Sequence, residues 1–175
     1  MDIELSKELY YRELDRRDQL DSSITLRVAV VTLLAGLFSY YASAYDAAGL
    51  GAPWLFIACA SGAAVTAGAA VVVIISALTG YTWAYIALPT DLLEYYDALV
   101  RYEQVHGLES KTASEQFEHS LRTRLVAAAT HNVLNNNSRS EKLYLASRLI
   151  SIAVVLGLVA GLPLAVDFVA RTVSS

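Results

Sequence analysis

Hydrophobic and polar positions follow one another along this chain in long blocks. Residues 2–22 are strongly charged, with acidic side chains at seven positions and Lys7, Arg12, Arg16 and Arg17 among them. Leu5, Leu9, Leu14 and Leu20 recur at roughly helical spacing, which predicts an amphipathic helix over 1–23. Asp21, Ser22 and Ser23 are either its polar cap or a passage into the next block. Residues 24–45, ITLRVAVVTLLAGLFSYYASAY, match the roughly 20 apolar residues that a bilayer core of about 30 Å requires. Arg27 stands near one end, and Tyr40, Tyr41 and Tyr45 stand at the other. That order suits a snorkelling cation and an aromatic belt.

Residues 46–53, DAAGLGAP, read as a short turn, with Pro53 suited to the first turn of a helix. The next apolar run, 54–88, would measure about 52 Å as a helix. It is too long for one crossing and too short for two with a turn. A span over about 54–78 is expected, then an extension, YTWAYIALP, with Tyr81, Trp83 and Tyr85 near headgroup level and a bend at Gly80.

Residues 89–142 form a polar insert. Asp91 and Glu94 have capping-box spacing, and Leu92, Tyr96, Leu99 and Val100 form one apolar stripe. A turn near His106–Leu108 leads to a second helix from about Thr112 or Ser114, carrying Phe117, Leu121, Leu125 and Ala128. The two helices are expected to pair as a hairpin. Asn132, Asn135, Asn136 and Asn137 either end the second helix or interrupt a longer one. The last span and its tail occupy 143–175, with Pro163 a candidate kink. The expected fold is all-α: an integral membrane protein with three transmembrane helices (two of them within 24–88) and a cytoplasmic helical hairpin.

Composition sharpens this picture. Hydrophobic residues make up 55% and charged residues 17%, with no charge from Ala47 through Thr90. Such a chain is not an ordinary water-soluble globule, and it leaves little polar chemistry for an enzyme. A net charge of −4 argues against generic nucleic-acid binding. The acidic start without an apolar core is unlike a cleavable signal peptide. Five of the 13 basic residues lie before the first span or at its start (Arg27 being the last of them), and seven fall in 89–148. The excess of Lys and Arg predicts a cytoplasmic N-terminus and insert, and an external C-terminus.

Reactive groupings are missing from the pattern. Cys59 is alone, and His106, His119 and His131 form no i, i+3 or i, i+4 pair, so no metal site and no cofactor are expected. No phosphate-binding glycine loop or nucleophile elbow occurs. Two sets of residues remain as candidates. In the second span, Ser61, Gly62, Ala64, Thr66 and Gly68 combine small side chains with hydroxyls, and Gly157 and Gly161 form a Gly-x-x-x-Gly pair in the last span. These positions suit a pore lining or contact between copies, and equally packing inside a monomeric bundle. The second set is Arg122, Arg124, Asn132, Asn135, Asn136 and Arg139, in a stretch without acids from 121 to 140. Arginine would clamp a phosphate and asparagine would read base edges; the same residues also suit membrane-proximal charge on a solvated helix.

Three passages carry a resemblance: ELYYRELDRRDQLDSSITL, WAYIALPTDLLEYYDAL and HNVLNNNSRSEKLYLASRLI. Together they resemble small bacterial antiviral-defence transmembrane effectors, of the Hailong type and more distantly the SLATT type. The resemblance covers about residues 8–165 and rests on aromatic, Leu and Asn spacings. It implies a homo-oligomeric channel in the bacterial inner membrane, in all expectation a tetramer, that depolarises the infected cell. It further implies gating by an oligonucleotide that a partner nucleotidyltransferase makes. A non-conducting membrane adaptor, recruiting a soluble partner through the cytoplasmic helices, is the alternative.

Overall fold

The computed structural model describes residues 2–48, 53–106 and 111–173. Among them are four helices and no strand: α1 (Ile3–Ala48), α2 (Pro53–Leu78), α3 (Pro89–His106) and α4 (Lys111–Val173). The stretches Ile3–Ser43, Pro53–Leu78 and Thr112–Val166 are long and apolar enough to cross a membrane. The chain divides into two compact units. The first comprises Met1–Gln19 with Tyr81–Asn137, and the second Leu20–Gly80 with Ser138–Ser175.

Two joins that the sequence left open are continuous helix. α1 runs through Asp21, Ser22 and Ser23, because Ser23 turns its hydroxyl back onto the Leu20 carbonyl (2.6 Å) instead of capping a new helix. α4 likewise runs through all four asparagines into the last apolar run, and Pro163 lies inside it. The capping box at Asp91 is not made either. α3 begins at Pro89, whose missing N–H costs nothing in a first turn, and the Leu92 amide already bonds the Leu88 carbonyl (3.0 Å). The expected span over 54–78 corresponds to α2, which ends where Gly80 takes a φ of 83°, a conformation that other residues rarely adopt. Gly49, Gly51 and the turn at 107–108 lie outside the described residues.

One spacing rule organises the three long helices. In α4 the buried positions include Leu125, Ala129, Asn132, Asn136, Arg139, Leu143, Ala146, Ile150, Ala153, Gly157 and Ala160, separated alternately by four and three residues. In α2 the same alternation joins Ala63, Ala67, Ala70, Ile74 and Ala77. In α1 it joins Ser6, Tyr10 and Glu13, then Ile24, Arg27, Val31, Leu34, Phe38 and Tyr41, all buried or half-buried. A period of 3.5 is the seam of helices that pack side by side along their length.

The first unit mixes large and small side chains on its seam. Tyr10, Leu125, Ala128 and Ala129 form its core, flanked by Leu9, Leu14, Ile86 and Leu121. Phe117 meets Tyr96 edge to face with ring centroids 5.3 Å apart, joining α3 to the first part of α4. The second unit uses small ones: Ala70, Ala77 and Ala146 are fully buried around Ile24, Ile74, Leu143 and Ile150. Small residues let helix backbones approach closely where lipid supplies no hydrophobic drive between helices.

Candidate functional site

The segment after α2 has no regular structure, so its peptide groups need partners from elsewhere. In the first unit α4 and α1 supply them. Asn132 is fully buried, and its amide both accepts from the Ala84 N–H (3.1 Å) and donates to the Ala84 carbonyl (3.1 Å). One side chain thereby does the work of a neighbouring strand. The Thr82 carbonyl accepts from Asn135 Nδ2 (2.6 Å) and from His131 Nε2 (2.7 Å), which fixes the proton of His131 on that nitrogen. The Ile86 N–H donates to the Tyr10 hydroxyl (3.4 Å). Arg17 completes the grip by donating to Tyr85 Oη (2.6 Å) and lying over the Trp83 ring (5.2 Å).

Asn136, one turn on, faces α1. Its Nδ2 donates to the Glu13 carbonyl (2.8 Å) and to Glu13 Oε2 (3.1 Å). Glu13 is itself buried, with Arg12 and Arg16 at 3.8 and 3.7 Å from its carboxylate. Asn136 Oδ1 is buried without a partner, as is Oε1 of Glu103 on the inner face of α3. Turning the Asn136 amide over would set its oxygen against two oxygens of Glu13, so the orientation follows from its neighbours.

In the second unit a corresponding device closes α2. Its last carbonyls, otherwise orphaned, accept from Lys142 Nζ (Ser76, 3.0 Å) and Arg139 Nε (Ala77, 2.9 Å). Arg139 also pairs with Asp21. Arg27 donates to the Ser147 hydroxyl (2.9 Å) and to the Ser23 carbonyl (2.8 Å). Arg27, Arg139 and Lys142 are thus each bonded to a carbonyl, a hydroxyl or a carboxylate of their own unit.

The six anticipated ligand residues therefore do not assemble into one open site. Asn132, Asn135 and Asn136 are committed to the chain's own backbone, and Arg139 to α2 and Asp21. Arg122 and Arg124 are two apart on a helix, so they point to different sides. Arg122 lies 3.0 Å from His119 Nδ1, whereas Arg124 stands 5.7 Å from the ring of Tyr95. The sequence did carry the missing signal: Asn132, Asn136 and Arg139 fall on the four-three seam with Leu125 and Leu143.

The small-residue set also divides. Gly157 and Gly161 turn toward α1 of the same chain: the Tyr41 hydroxyl donates to the Gly157 carbonyl (2.8 Å), and a Cβ at Gly161 would collide with that hydroxyl. Gly62 faces Leu156, and Thr66 bonds the Gly62 carbonyl (2.9 Å). Ser61, Ala64 and Gly68 are exposed off the alanine seam of α2, Ser61 and Ala64 lining a groove with Phe38 and Tyr41, and a Cβ at Gly68 would meet nothing within 4 Å. An apolar cavity of about 320 Å³ in the first unit is lined by Tyr10, Leu14, Ile86, Leu121 and Leu125, with Lys7 at its rim. Among the described residues no group of three potential metal ligands occurs. No family model, curated protein or solved structure matches this chain.

Proposed function

We propose that this chain is the subunit of a homo-oligomeric membrane effector, a ligand-gated ion channel in the bacterial cell membrane that depolarises the cell during antiviral defence. The observation that carries the reading is the two-faced α2. Its alanine seam packs inside the chain, while Ser61, Ala64 and Gly68 are small residues exposed among the bulkier Ile57, Val65 and Val72. In lipid such small residues favour contact with another copy, and a hydroxyl offers a permeating ion an oxygen. No charged side chain lies on α2, so weak ion selectivity is expected. In this reading the N-terminus and the hairpin of α3 with early α4 are cytoplasmic, the C-terminus is external, and a tetramer is the expected assembly. The controlling oligonucleotide comes from a partner nucleotidyltransferase and is contacted by Arg122 with His119 or by Arg124, on separate faces of α4.

Purified protein in liposomes tests this. The expected result is potassium release from an oligomer, abolished by Ser61→Leu with Gly68→Leu while membrane insertion persists. An impermeant monomer would overturn it. That outcome would favour a membrane adaptor, a second reading supported by the groove of about 510 Å³ that Leu92, Leu93, Tyr96 and Phe117 line in the first unit.

A further inference from the structure

Arg148 sits on an unusual surface. It is exposed on α4 amid an outward stripe of Tyr144, Leu145, Ile152 and Val155, all exposed as well. Its guanidinium carbon lies 6.0 Å from the ring centroid of Tyr144. Neither three nor four residues away on α4 is there an acid, and among the described residues Arg148 has no ion-pair partner. A guanidinium on an apolar face without an anion is costly.

Its level in the second unit is fixed by two helices. Arg148 is the last charge before the charge-free run 149–166, about 27 Å of helix and close to the thickness of a hydrocarbon core. Arg27 is the last charge before the run 28–45 on α1, and it bonds Ser147, the neighbour of Arg148. Both runs therefore begin at one level, where headgroup phosphates lie. Tyr144, Arg148 and Ser151, at i, i+4 and i+7, share one outward face of α4. Between them they present a phenol, the five-donor guanidinium fork and a hydroxyl, the last now bonded to the Ser147 carbonyl (3.0 Å). Arginine binds phosphate oxygens bidentately, which suits this set to one phosphodiester.

We infer that Tyr144, Arg148 and Ser151 form a binding site for the phosphodiester headgroup of an anionic phospholipid. The inference rests on the membrane-spanning reading and is independent of channel activity. The test is native mass spectrometry of the full chain released gently from vesicles of equal parts dioleoylphosphatidylglycerol and dioleoylphosphatidylcholine. Wild type is expected to retain the glycerol lipid about fivefold over the choline lipid, as ~1 kcal/mol per basic side chain implies. Arg148→Gln should abolish that preference, Arg148→Lys should keep part of it, and Arg101→Gln on α3 should leave it unchanged. Equal retention of both lipids by wild type, or a preference undiminished in Arg148→Gln, would overturn the site. So would displacement of the lipid by millimolar glycerol phosphate, which would make a soluble phosphate the ligand. A change of oligomer size in Arg148→Gln with unchanged lipid retention would assign Arg148 to a carboxylate of a second copy and overturn it too. Alkaline carbonate extraction separates the levels: wild type leaving the membrane overturns the spanning reading along with this one, whereas retained protein without lipid preference overturns the headgroup site alone.

Discussion

The two halves of the α4 seam obey the same spacing with different chemistry. From Leu125 to Arg139 the seam admits Asn132, Asn136 and Arg139; from Leu143 to Ala160 it is confined to Leu, Ile, Ala and Gly. The polar half meets irregular backbone, a buried carboxylate and a helix end, each needing donors or acceptors. The apolar half meets regular helices whose peptide groups are already satisfied, so close approach is all it has to supply. Polar residues on a seam also fix the register of neighbouring helices, because slippage would strand them unpaired.

This contrast orders the effects of substitution. The largest belongs to Asn132→Ala, which strands both the N–H and the carbonyl of Ala84. It should cost about 2 kcal/mol locally, read as roughly 30-fold faster hydrogen exchange of the Ala84 amide. Asn135→Ala should do much less, since Thr82 keeps His131. If Ala84 exchanged at the same rate in both variants, the backbone-clamp account would fail.

In the apolar half steric fit dominates, with the Tyr41–Gly157 hydrogen bond an exception. Gly161→Ala should destabilise by about 1 kcal/mol because the new methyl meets the Tyr41 hydroxyl, while Gly157→Ala should cost only roughly a few tenths. Unfolding in detergent measures both. Adding Tyr41→Phe should recover part of the Gly161→Ala loss; no recovery would place the strain elsewhere. The smallest effect is expected at Gly68→Ala, on the outward face of α2, where removing a helical glycine should stabilise the isolated chain by up to about 1 kcal/mol. A loss of stability that appears at high protein concentration and vanishes on dilution would mark this face as a contact between copies.

Much of the helical plan was legible in the sequence. A charge-free run of fixed length announces a span, and the glycine, tryptophan and tyrosines after Leu78 announce its end. The joins were not legible. Ser23 can cap a new helix or bond its own, and here its hydroxyl donates to the Leu20 carbonyl and accepts from Arg27, one turn on in the same helix. The asparagines were visible as polar residues in a basic stretch, and from there they suit a ligand. Their partners lie 48 to 123 residues away in sequence, where local pattern does not reach. Gly157 and Gly161 likewise suited association until Tyr41, 116 residues from Gly157, came to lie against them. The alternation of four and three was in the sequence throughout, hidden because asparagine and arginine occupy seam positions usually left to leucine.

The closure of α2 bears on the order of events during synthesis. Nothing charged lies between Ala47 and Thr90, so α2 carries no cation of its own to tie off its last carbonyls. The two that do so, Arg139 and Lys142, follow their partners by 62 and 66 residues. At about 5–20 residues per second, α2 exists for roughly 3 to 13 s before the ribosome has made its cap. During that interval the Ser76 and Ala77 carbonyls have neither of these donors, and the arrival of α4 is the step that supplies them.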